Sequence, residues 1–89
     1  MMSPADRVAA ITACLTTTFQ PTLLIVEDQS EAHRNHPGAK SGQGHFAIQI
    51  RAKTLSHQSR ITAHRLIYQA LGELMVTEIH ALSIVILDD

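Results

Sequence analysis

One segment of this chain alternates polar and apolar positions, two others are aliphatic runs, and two follow the helical period. Ser3-Pro4-Ala5-Asp6 reads as a helix start: Ser3 can accept from the amide of Asp6, Pro4 suits the first helical position, and Asp6 places negative charge in the first turn. Val8, Ile11 and Leu15 follow at helical spacing, predicting an amphipathic helix to about Thr18, with Pro21 barring its continuation. Leu23 to Val26 is a short aliphatic run ending at Glu27-Asp28 and predicts a strand. From Gln29 to Gly44 apolar side chains almost vanish, and Pro37, Gly38, Gly42 and Gly44 appear. This predicts a single long loop, of a length usually tied to function or disorder.

His45 to Arg51 alternates cleanly, with Phe46, Ile48 and Ile50 on one side and Ala47, Gln49 and Arg51 on the other. It predicts a half-buried strand, paired antiparallel with the one before. The segment from about Gln58 to Met75 carries helical periodicity through Ile61, His64, Tyr68, Leu71 and Met75, with Ser59 or Thr62 as a local cap. Ile79 to Leu87 is rich in Ile and Val and predicts a last strand of low polarity, covered or central in the sheet. The order α-β-β-α-β describes a small α+β fold, a three-stranded mixed sheet with helices packed on one face.

Composition narrows the function classes. The 89 residues suit one domain, residues 1–89, and a net charge of −1 with 45 % hydrophobic residues describes an ordinary globular chain. A strongly electrostatic nucleic-acid binder would show a basic balance, and three aromatics (Phe19, Phe46, Tyr68) are few for a base-stacking platform. No apolar run reaches the roughly 18 residues of a membrane span, and the N-terminus lacks the pattern of a signal peptide. Cys14 is the only cysteine, so an intramolecular disulfide is excluded; the expected compartment is a reducing cytoplasm.

Six histidines remain as candidate chemistry. His33, His36 and His45 lie in or beside the Gly-rich loop, and His80 opens the last strand. Imidazole is the commonest metal-ligating side chain, yet the chain lacks the thiols to hold an iron–sulfur cluster or a Cys-type zinc site alone. Read as packing, His45 is structural at the loop base, His64 is a buried histidine on the helix stripe, His57 is solvated, and Cys14 is a half-buried core residue. A free-standing zinc or hydrolytic site on His33, His36, His45 and His80 has enough ligands, but no His-Glu-x-x-His motif or paired nucleophile accompanies them, so no enzymatic activity is expected.

Four motifs then appear in order. Glu27-Asp28-Gln29-Ser30-Glu31-Ala32-His33-Arg34-Asn35-His36 resembles the "DxS…H…H" loop of BolA-like proteins, and Gly44-His45-Phe46 their "SHF" strand entry. Ile61-Thr62-Ala63-His64-Arg65-Leu66-Ile67-Tyr68 resembles their "V-x-R-H-R-x-V-Y" helix, and Ile79-His80-Ala81-Leu82-Ser83-Ile84 their final strand. Ala63 departs from the pattern by replacing its first Arg, and Leu55-Ser56-His57-Gln58-Ser59 replaces "F-x-G-x-S". The resemblance implies a fold similar to class II KH domains and partnership with a monothiol glutaredoxin. In such a pair a [2Fe–2S] cluster is shared with the glutaredoxin and glutathione, which supply thiolates, and no cofactor is expected in the isolated chain. Carried over by position, the histidine ligands fall on His80 and His33, with His36 in reserve. Such mixed ligation resembles the Rieske pattern.

The alternative that the resemblance implies is a DNA-binding transcriptional regulator, with Lys53, Arg60 and Arg65 as candidate phosphate contacts. KH domains clamp a nucleic-acid backbone with a Gly-x-x-Gly loop, and Gly38, Gly42 and Gly44 lack that spacing. A homodimer is left open by the sequence.

Overall fold

The computed structural model describes residues 2–30 and 43–88. His33 and His36, and most of the Gly-rich loop, lie outside the described residues. The first helix, α1, runs Pro4–Phe19, with Ser3 accepting from the Asp6 amide at 3.1 Å. It ends where Gln20 turns to φ 47°, its N–H bonded to the Thr16 carbonyl. Ile11, Leu15 and Phe19 face inward. Each fully buried residue of this size contributes about 1.5–3 kcal/mol.

Strands β1 (Leu23–Asp28) and β2 (Gly44–Arg51) pair antiparallel, and β2 pairs in parallel with β3 (Ile79–Ile86), giving the order β1-β2-β3. The mixed three-stranded sheet and the antiparallel first pair are those the sequence predicts. The last strand, expected to be covered or central, is covered on one face but lies at an edge of the sheet. Its low polarity is explained by the α3–β2–β3 sandwich on one face: Leu82, Ile84 and Ile86 turn toward the core, while Ala81, Ser83 and Val85 remain exposed on the other. Phe46, Ile48 and Ile50 supply the centre of the core, as the alternation in β2 requires.

A short turn of helix that the sequence pattern does not predict, α2, spans Lys53–Ser56. The predicted second helix, from about Gln58 to Met75, is divided in two: α3 spans Arg60–Leu71 with Ser59 as N-cap, accepting from the Thr62 amide at 3.1 Å, and α4 spans Leu74–Thr77. Gly72, with φ 54°, ends α3 in a backbone conformation that side chains disfavour. The buried stripe of α3 also differs from the predicted one. Ala63, Ile67 and Leu71 face the core, whereas Ile61 is 72 % exposed and Tyr68 42 %. Both stripes have helical spacing; contact with α1 and β3 selects the first.

Candidate histidine site at the sheet end

A change of register builds the site. Gly44 pairs with Ile79 and His45 with Ala81, so one residue on β2 steps forward while β3 advances by two. His80 is the extra residue of a β-bulge, a device that re-aims side chains beside functional sites. Strict alternation with Leu82, Ile84 and Ile86 would turn His80 toward the core. The bulge instead leaves both His80 and Ala81 exposed, while Ile79 is buried.

His45 lies beneath. It is 7 % exposed, and its ring centroid is 5.2 Å from that of His80, with the planes inclined at 45°. The His45 amide donates to Ser30 Oγ at 3.0 Å, its carbonyl accepts from the Gln29 amide at 2.7 Å, and the Ser30 amide donates to Asp28 Oδ1 at 2.8 Å. On the other side the Gly44 amide donates to the Glu78 carbonyl at 2.9 Å, and Gln43 Nε2 donates to the Val76 carbonyl at 2.7 Å. Both chain ends that flank residues 31–42 are therefore fixed at the end of the sheet that carries His80. A cleft of about 180 Å³ opens beside the pair, lined by Gln29, His45, Ala81 and Ser83 among others.

Chemically, this end of the sheet offers one exposed imidazole backed by one buried imidazole. Among the described residues no three His, Cys, Asp or Glu side chains are grouped to hold a metal ion. The donor set fits a shared site, in which further donors come from outside these residues, and does not fit a complete zinc centre of the described chain alone. Of the sequence-predicted ligands, His80 stands exposed at the bulge, while His33 and His36 lie outside the described residues. His45 keeps the place at the loop base that the sequence predicts, and its contact with His80 is new. No sequence signal exposes that contact, because it depends on a register shift.

A second feature lies on α2 and α3. Lys53, Arg60 and Arg65 are all exposed, and Arg60 borders both a cleft of about 320 Å³ against Ile84 and Ile86 and a shallower one with Ile61, His64, Arg65 and Tyr68. His64 is half-buried at the rim of both clefts, a correction to its expected place on a buried stripe. Ala63, which stands in place of an Arg, is buried against the core. A sequence signal for this face was present in the charge order: residues 32–72 contain no Asp or Glu and hold six of the seven Lys and Arg. The net charge of −1 conceals that segregation.

A buried charged residue, Arg7, lies on α1. It occupies the apolar stripe Arg7, Ile11, Leu15 and is buried, with Nε 2.9 Å from Glu78 Oε1. Hydrogen bonding from Arg7 holds the Glu78 carboxyl below its ordinary range, against the opposing effect of desolvation. No described helix is long and apolar enough to cross a membrane.

The family model described as BolA-like protein matches residues 15–88. Protein BOLA1, chloroplastic, of Arabidopsis thaliana is 34 % identical over 83 residues, which cover 90 % of this chain and 52 % of that protein. The DNA-binding transcriptional regulator BolA of Escherichia coli K12 is 33 % identical over 70 residues, 79 % of this chain and 64 % of that protein. The chain thus spans about half to two-thirds of the length of these curated relatives. Among solved structures, the BolA domain of SufE1 from Arabidopsis thaliana superposes with a TM-score of 0.80 at 32 % identity, over 97 % of this chain and 93 % of that one. BolA1 from the same plant gives 0.75 at 33 % identity, over 89 % and 87 %.

Proposed function

The chain belongs to the BolA-like protein family, and from that premise we propose that it is a non-enzymatic partner of a monothiol glutaredoxin in the assembly or transfer of [2Fe–2S] clusters or in iron regulation. The observation that supports this reading is the bulge at β3, which turns His80 out of the core and sets it over His45 at the foot of the segment that carries His33 and His36. An exposed imidazole at the edge of a sheet is accessible to a second protein. A chain with a single cysteine, Cys14 on α1, needs that protein to bring the thiolates.

In this reading His80 supplies one nitrogen donor and His33 the other, with His36 in reserve, while glutaredoxin and glutathione complete the shared cluster. Imidazole must be neutral to bind metal, so cluster retention falls as pH drops through the imidazole range. The test is anaerobic reconstitution of the chain with a monothiol glutaredoxin and glutathione, followed by visible absorption and iron and labile-sulfide analysis. A mixed-ligated [2Fe–2S] heterodimer is expected, and His80→Ala should abolish its characteristic spectrum. An unchanged spectrum and lifetime in His80→Ala would remove His80 from the ligand set.

Exposed Lys53, Arg60 and Arg65, on helices α2 and α3 that contain no Asp or Glu, support a second reading, a DNA-binding regulator contacting phosphate through these side chains. Three bacterial relatives carry that description in their names. Duplex binding that weakens steeply with salt, with a slope reduced by about one for each of these side chains removed, is the expected result. Weak binding insensitive to salt would end this reading.

A further inference from the structure

A buried ion pair on an otherwise apolar helix stripe is the feature of the core that packing leaves unexplained. Arg7 is 6 % exposed and Glu78 is 8 %, and they meet across 71 positions of sequence. Burying two opposite charges returns little more than it costs, so an apolar pair of similar volume would hold α1 against the sheet about as well. What the ion pair adds is direction, because a guanidinium–carboxylate contact has a defined geometry.

The direction matters because of where Glu78 stands. It is the last residue before β3, and its main chain is fixed on both sides: its amide donates to the Leu74 carbonyl at 3.0 Å, and its carbonyl accepts from Gly44 at 2.9 Å. Its carboxylate accepts from Arg7 Nε at 2.9 Å. Ile79 follows, paired with Gly44, and the next residue is the bulged His80. Gly44 itself is closely approached by the Phe46 ring, since a Cβ there would come within 2.6 Å of it. The step from Glu78 to His80 is thus held between a side-chain anchor on α1 and a tightly seated glycine on β2.

We propose that Arg7, acting through Glu78, is a positioning residue for His80: it fixes the corner from which the bulge carries the imidazole out over His45. In this role Arg7 fixes the corner and is not itself a metal ligand. The positioning is a property of the free chain; its use in holding a cluster rests on the function proposed above.

The test compares the isotopically labelled chain with Arg7→Gln, Arg7→Lys and the double variant Arg7→Met/Glu78→Met, in which apolar side chains replace the pair. Melting temperatures are measured in parallel with nuclear Overhauser contacts between the ring protons of His45 and His80. The ring contacts are expected in the native chain and should weaken in Arg7→Lys, which keeps the charge but lacks the planar guanidinium. They should be lost in Arg7→Gln, and lost in the double variant even where its melting temperature is retained. Ring contacts that persist in either neutral variant would overturn the proposal and leave the pair a packing element only.

In the reconstituted glutaredoxin complex, the double variant should hold its cluster about 10–100-fold less tightly, the usual effect of losing a group that orients a metal ligand. Unaltered retention alongside lost ring contacts would contradict the coupling of position to cluster binding. If His80→Ala proves neutral while the ring contacts respond to Arg7, the cluster reading fails and the positioning stands.

Discussion

Gly44→Ala isolates the close approach on which the end of the sheet depends. Gly44 does not have a left-handed φ, so the substitution tests space rather than backbone strain. The new methyl would meet Phe46 Cε2 at 2.6 Å, Phe46 Cζ at 2.7 Å and Ser30 Oγ at 2.9 Å. Carbon atoms pack best at about 3.5–4.0 Å, so the ring must retreat by about 1 Å. It has little room to do so: Phe46 is among the largest fully buried side chains, and the Ser30 hydroxyl is tied to the His45 amide.

Overpacking of this kind costs about 1–3 kcal/mol, and two aromatic carbons in conflict favour the upper half of that range. Alanine also restricts the unfolded chain, which offsets about 0.4–1 kcal/mol. The net expectation is a loss of about 1–2 kcal/mol, or a fall of about 5–15 °C in melting temperature for a domain of this size. Urea and thermal unfolding measure it directly. A double-mutant cycle with Phe46→Leu should show coupling of at least about 0.5 kcal/mol, since the smaller side chain relieves the clash. Stability within about 0.5 kcal/mol of the native chain, with no coupling to Phe46, would refute the steric account of Gly44.

Other expectations concern the helices and the buried pair. Ile67→Ala should cost about 2–5 kcal/mol because Ile67 is fully buried, whereas Ile61→Ala, on the exposed face of the same helix, should stay within about 0.5 kcal/mol; unfolding titrations compare the two. Ser59→Ala removes the cap of α3 and should cost about 0.5–2 kcal/mol, read by the same titrations and by loss of protection of the Thr62 amide in hydrogen exchange. Glu78 should contribute to acid sensitivity. Its carboxyl is held below the ordinary value in the folded chain, so its contribution is present above the unfolded carboxylate pKa and disappears as pH falls through the lowered folded value. Glu78→Gln should flatten that part of the stability–pH profile, and an unchanged slope would show that the pair does not titrate with folding.

How much was legible depends on the range of the interactions. The start of α1, the alternation in β2 and the cap at Ser59 are local, set by residues within a few positions of one another, and the structure reproduces them. The family motifs are likewise linear patterns, and His80 stands within one of them. The face of α3 was not legible, because Ile61-His64-Tyr68 and Ala63-Ile67-Leu71 have equally good helical spacing. Only the sheet and α1 distinguish them, and they bury the set whose smaller side chain, Ala63, allows close approach.

The sequence by itself therefore determined the succession of helical and strand regions, the core strands and the residues that carry the family resemblance, since each follows from short-range periodicity and capping. Tertiary structure decided which strand is central, which helix face is buried and where His80 points. Those depend on pairing between segments far apart in the chain. One residue of register between β2 and β3 reverses the side to which a side chain projects, and Arg7 meets its partner only after 71 residues have folded back.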